Sequence, residues 1–277
     1  MYEEPYRWVE AIENRRQYLD EQFKQGSPVV ALSYADGILL LTVSRGTPKL
    51  YEIYDRIALG GMGHPADLEK LRFSLLEMAH VEGFNRSPSD VTGMRLVKYG
   101  LAPVIKQAFE EIFKAPFIVK VLLAESGVKP GRDAFLTINY DGTFEETADW
   151  AVLAATPIIQ AEMRAYLKRE TGLASGTLGQ AIDSAIRTWA VGSMAQNKEQ
   201  VEENKEEPKG SSKAGTTQSA AANQDKAALL AHLRETVAEK TIECAVLERT
   251  APGSSKYRTL KPLDLGRLLP KPLQQHA

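Results

Sequence analysis

Few side chains in this 277-residue sequence are spaced for chemistry of their own. Four histidines, His64, His80, His232 and His276, lack the short spacings that metal ligation uses, so neither a metal nor a cofactor is expected. Glu145 and Glu146 are adjacent, and neighbours on a strand point to opposite faces, which argues against a paired general acid and base. Cys244, the single cysteine, excludes an internal disulfide and reads as a small apolar residue within a strand. The glycine-rich GGMG at 60–63 marks a place where the chain turns sharply or is closely approached. Ser27 follows Gly26 where a helix gives way to a strand, and Lys49 begins another strand; taken alone, these are a strand-start hydroxyl and a solvated cation.

Composition narrows the function classes. With 34 basic residues against 36 acidic, net charge −2, nothing electrostatic points to nucleic acid or an anionic membrane as main partner. No apolar run approaches the roughly 20 residues that cross a bilayer, and MYEEPYRW does not read as a signal peptide, so a soluble, cytoplasmic protein is expected.

The elements that must position these residues follow from hydrophobic periodicity. Residues 5–25 read as an amphipathic helix closed by Gly26. Two β-rich runs in 28–43 flank Ala35-Asp36-Gly37, a hairpin signal, and a further strand pair is expected at 49–53 and 57–62. A helix after Pro65 and a second over 89–114, capped by Ser87 or Ser89 and bent or split by Gly100 and Pro103, come next. Strands return at 117–126, 133–146 and in WAVLAA, then helices at 157–170 and 174–191. Residues 195–226 hold no Leu, Ile, Phe, Tyr or Trp and read as a mobile low-complexity insertion. A helix at 227–235 and strands at 241–250 and 256–260 end the pattern. The expected division is 1–26 for an N-terminal segment and helix, 27–194 for a sandwich domain, 195–226 for the insertion, 227–262 for elements completing the sandwich, and 263–277 for a tail. Strand blocks alternating with helix pairs predict an α+β fold, two face-to-face sheets with helices on each outer side.

Five segments in order carry a resemblance: GSPVVALSYADGILL (26–40), YEIYDRIA (51–58), DVTG (90–93), INYDG (138–142) and ECAVLER (243–249). Together they resemble the α-type subunit of bacterial 20S proteasomes. The resemblance implies the four-layer αββα sandwich of the N-terminal-nucleophile hydrolases. It further implies a non-catalytic subunit of a threonine-type endopeptidase complex, assembled with identical copies in a heptameric ring, capping β-type subunits and gating the passage of unfolded protein substrates.

The resemblance also assigns roles to residues. In β-type relatives a threonine freed by cleavage after glycine is the nucleophile; Gly26-Ser27 stands at that junction, and Val43 stands where the supporting aspartate would be. The alternative reading is therefore a self-processing hydrolase using Ser27, and a third is a scaffold that assembles only with itself. Lys49, with Gly26 and Gly63, matches a pocket between α subunits that receives the C-terminal carboxylate of an AAA ATPase ring bearing a hydrophobic-Tyr-X tail, with glycine amides as further donors. Tyr2, Pro5, Tyr6 and Trp8 fall where such subunits carry the gate of the axial pore.

Overall fold

Two antiparallel five-stranded sheets form the centre of the molecule, and the register of their strands explains why glycine recurs where it does. The computed structural model describes residues 4–111, 113–170, 172–203, 229–236 and 239–270. The first sheet is built from β1 (Val29–Tyr34), β2 (Gly37–Ser44), β8 (Trp150–Leu153), β9 (Thr241–Glu248) and β10 (Tyr257–Thr259), in the order β10-β9-β2-β1-β8. The second holds β3 (Leu50–Tyr54), β4 (Ile57–Gly63), β5 (Val119–Glu125), β6 (Ala134–Ile138) and β7 (Phe144–Thr147) in sequence order. Every residue of β1 and β2 is buried, because one face meets the other sheet and the opposite face meets helices.

The β1–β2 hairpin forms at Ala35-Asp36, with Tyr34 opposite Gly37. No non-glycine residue in this turn has positive φ. Glycine is required at 37 for a different reason: a Cβ there would lie 1.9 Å from the Leu247 carbonyl of β9. Gly60 and Gly61 serve the two faces of β4 in alternation. A Cβ on Gly60 would meet Val29 of the opposite sheet at 2.8 Å, and one on Gly61 would meet Leu68 of the outer helix at 2.3 Å.

Helices cover both outer faces. α2 (Pro65–Asn85) buries Leu68, Leu71, Leu75 and Ala79 against the second sheet, starting from His64, whose Nδ1 accepts from Ala66 N. The second helix of this pair begins later than expected, at Gly93, because Thr92 caps it; Ser87 instead caps a short 3-10 turn, Pro88–Asp90. It runs as α3 (Gly93–Leu96), a π turn at Val97–Leu101 and α4 (Ala102–Glu110). Gly100 thus widens the helix by one residue, and Pro103, whose missing N–H would interrupt a continuous ladder, falls in the first turn of α4.

On the other side α5 (Pro157–Arg169), capped by Thr156, and α6 (Leu178–Glu203) cover the first sheet. Ile182, Ala185, Ile186 and Trp189 are buried along α6. This helix extends past 195, where the sequence suggests order would stop. Its continuation docks: Ala195 and Gln196 are buried, and the Gln196 and Gln200 amides both donate to the carbonyl of Lys24. The rest of the expected insertion, from 204, lies outside the described residues. A helical stretch at 229–236, labelled α7, follows, and α8 (Pro262–Leu268) stands where a tail is expected, held by the buried Leu265 and Leu269 beside α6. The result is a helix–sheet–sheet–helix sandwich of the α+β class, and no described helix is long and apolar enough to cross a membrane.

The leading helix α1 (Glu4–Phe23) is fixed at its C-terminal half. Leu19 and Phe23 are fully buried, and Phe23 stacks on Tyr140 with centroids 5.8 Å apart. The Arg15 guanidinium donates to the carbonyls of Ala108 (3.0 Å), Phe109 (3.1 Å), Glu111 (2.7 Å) and Lys114. The Ala108 and Phe109 carbonyls belong to the last turn of α4, where a cation is favoured, and those of Glu111 and Lys114 to the chain that follows it. They also explain why α4 stops at Glu110 and not at 114.

Candidate docking site

Lys49, Gly26 and Gly63 come from three segments, and the end of β4 gathers them. The Lys49 carbonyl accepts from Gly61 N at 3.0 Å, placing Lys49 beside the last residues of β4. Gly26 rests on Met62, the neighbour of Gly63: a Cβ on Gly26 would lie 2.8 Å from Met62 Cγ. Gly63 itself has φ +128°, and a Cβ there would sit 2.0 Å from the Ile118 carbonyl, so only glycine is accommodated.

The charge around Lys49 comes from a strand nearly 200 residues away. Pairing of β2 with β9 sets Thr42 opposite Glu243 and Ser44 opposite Thr241. The Glu243 carboxylate is thereby aimed at the start of β3, where it accepts from Lys49 N at 3.0 and 2.9 Å and from Leu50 N at 2.8 Å. Burial pushes this carboxyl up from its usual range, and the two amide donors and Lys49 oppose that shift. Burial lowers the Lys49 amine, with Glu243 opposing and Lys240 reinforcing; Lys240 is itself lowered by burial and by Arg45. Lys49 and Lys240 thus repel one another, Arg45 adds to the positive charge at Lys240 and Glu239 opposes it there, while the Glu243 carboxylate spends its lone pairs on main-chain amides. Among the described residues no carboxylate lies within ion-pair distance of the Lys49 ammonium. Such a site has positive charge to spare for an incoming anion.

The glycines differ from expectation in one respect. The Gly26 amide already donates to Phe23 O at 2.8 Å, closing α1, so it holds the helix end and is not available as a donor to a ligand. What Gly26 and Gly63 allow is close packing of the chain on Met62 and on the Ile118 carbonyl.

Ser27 lies close by, at the start of β1. Its hydroxyl donates to the Val43 carbonyl at 2.5 Å and accepts from Trp189 Nε1 at 3.0 Å. Val43, fully buried, offers no carboxylate. Of the gate positions, Tyr2 lies outside the described residues, and Pro5 and Tyr6 belong to the first turns of α1. Trp8 is exposed and lines a groove along α1 with Val9, Ile12, Glu13 and Arg16.

Lys240 and Glu243 were not identifiable as neighbours of Lys49 from sequence, because the β2–β9 pairing is what brings them there. Cys244, the next residue on β9, is buried as expected, and its thiol is pushed up by burial. Glu145 carries an ion pair with Arg164, and Glu146 is exposed beside it.

No protein-family model matches the chain. Relatives among curated proteins do match. A protein named proteasome subunit alpha from Actinosynnema mirum is 31% identical over 184 residues, 66% of this chain and 68% of the relative. The protein of the same name from Kineococcus radiotolerans is 30% identical over 66% of this chain and 75% of its own length. That from Streptomyces griseus is 27% identical over 94% of this chain and 82% of its own. With this identity over two thirds or more of their lengths, and a two-sheet α+β sandwich beneath it, the chain belongs to the proteasome alpha-subunit family.

Proposed function

We propose that the protein is a non-catalytic subunit of the α ring of a bacterial proteasome core, docking an ATPase activator and restricting access of unfolded protein substrates to a proteolytic chamber. Identical copies form a heptameric ring, threonine-bearing β-type subunits perform hydrolysis, and residues 1–8, with Tyr2, Pro5, Tyr6 and Trp8, contribute the gate. The observation that carries this reading is the Lys49 ammonium, half-buried near Lys240 while Glu243 is committed to main-chain amides. A terminal carboxylate of a hydrophobic-Tyr-X tail would meet this cation beside the end of β4, which Gly26 and Gly63 let pack closely.

Ser27 supports the same reading from the other side. A nucleophilic serine needs a base to take its proton. Here the hydroxyl proton is given to a main-chain carbonyl, and the chain preceding Ser27 is anchored by Phe23, Leu19 and Arg15. The expected mature protein keeps its first 26 residues. Intact-mass measurement tests this directly; a species beginning at Ser27 would show self-processing and overturn the non-catalytic assignment.

The docking reading is tested with the mixed particle formed by co-expression with a β-type partner. Lys49→Ala should leave assembly intact and abolish activator-stimulated degradation. Unchanged stimulation in that variant would remove Lys49 from the docking site.

A further inference from the structure

A second lysine, Lys120 of β5, lies in a cavity of about 400 Å³ between the β6–β7 hairpin and α5. The residue is 7% exposed, unusually buried for a lysine. Two of its three protons go to the carbonyls of Ala155 (2.7 Å) and Ala154 (3.2 Å). The faces of Phe23 and Tyr140 flank it, 4.8 and 5.7 Å from Nζ to the ring centroids. Among the described residues no carboxylate stands within ion-pair distance of it; Asp20 and Asp141 act on it only across space. The other charges lining the cavity, Arg164 and Glu145, neutralise one another. Lys120 is therefore the lining cation without a direct ion pair among the described residues, its charge offset only across space by Asp20 and Asp141.

Two further features narrow what would fit. Asn139, which lines the same space, has a buried Oδ1 without a hydrogen-bond partner, and a buried unsatisfied acceptor costs about 1–3 kcal/mol unless a donor reaches it. The remaining walls include Ile138, Leu153 and Ala161, which are apolar. Anion, donor and apolar body are thus all specified by the lining of one open cavity.

We propose that this cavity binds an apolar N-acylated amino acid, its carboxylate on Lys120 Nζ, its amide N–H on Asn139 Oδ1 and its side chain against Ile138 and Leu153. The site is separate from the Lys49 pocket and does not depend on activator docking.

The test uses the full chain and chemical labelling of its lysines. Burial lowers the Lys120 amine to about 8, so at pH 7.5 it is mostly charged yet retains enough free amine to react with formaldehyde and a mild reductant. Methylation of Lys120 and Lys49 is read by peptide mass spectrometry with N-acetyl-leucine, N-acetyl-leucinamide or 4-methylpentanoate present. N-acetyl-leucine should reduce Lys120 methylation at least fivefold and leave Lys49 unchanged. N-acetyl-leucinamide, lacking the carboxylate, should give no protection, and 4-methylpentanoate, lacking the N–H, should protect less. In Asn139→Leu the advantage of N-acetyl-leucine over 4-methylpentanoate should vanish. Equal protection by the amide, equal protection of Lys49, no protection at all, or a Lys120 that never reacts would each overturn the proposal.

Discussion

Lys49 and Lys120 stand on either side of the end of β4, one bonded through its carbonyl to Gly61 and the other paired with Met62, yet burial is handled differently at each. Lys49 keeps partial contact with water and shares its surroundings with Lys240 and the amide-bound Glu243. Lys120 is enclosed, and main-chain carbonyls and aromatic faces replace water around it. A rim cation of the first kind suits the reversible capture of a large partner's terminus, because little must be dehydrated. An enclosed cation of the second kind favours a small ligand able to complete its shell.

The largest effect expected on this contrast comes from Gly63→Ala. The left-handed φ and the 2.0 Å approach to Ile118 O together should cost about 3 kcal/mol or more and lower the melting temperature markedly. A melting temperature unchanged from wild type would mean that the end of β4 is not held as described. Next is Glu243→Ala, which strands the Lys49 and Leu50 amides and should destabilise by about 2 kcal/mol in urea denaturation, with no change in Lys120 labelling. Altered Lys120 reactivity in that variant would show the two lysines to be coupled.

A pH series separates the lysines further. Folding lowers the Lys120 amine from 10.5 to about 8, so the unfolded chain holds the proton more tightly. Burial therefore opposes folding fully below pH 8, and stability is gained as pH rises from 8 toward 10.5. Relative to Lys120→Met, the wild type should gain about 1–2 kcal/mol between pH 7.5 and 9.5. A flat difference across that range would contradict the enclosed setting of Lys120. The smallest effect on stability is expected for Lys49→Ala, within about 0.5 kcal/mol of wild type, since its ammonium has no carboxylate within ion-pair distance among the described residues.

The strands around these lysines were legible in the sequence because apolar β-branched runs end at local turn residues, as at Asp36-Gly37 and Asp141-Gly142. Lys49, Gly26 and Gly63 were legible as candidates only through likeness to a family, and the charges that set the electrostatics at Lys49 were not legible at all. Glu243 reaches Lys49 by a strand pairing across nearly 200 residues, which no local pattern announces. The polar end of α6 misled for a related reason: Gln196 and Gln200 look like solvated residues until the Lys24 carbonyl, at the end of another helix, gives them acceptors. Lys120 reads as an interruption in an apolar strand, and only the fold shows the rings and carbonyls that surround it.

The docking role of the Lys49 rim is tested most directly by titrating the assembled particle with a short peptide ending in hydrophobic-Tyr-X, as free acid and as C-terminal amide, against wild type and Lys49→Ala. A charge-assisted bond contributes about 1.5–3 kcal/mol, or about tenfold to a hundredfold in affinity. The free acid should therefore bind wild type at least tenfold more tightly than the amide, and Lys49→Ala should erase that preference. Equal binding of acid and amide by wild type, or an undiminished preference in Lys49→Ala, would contradict it.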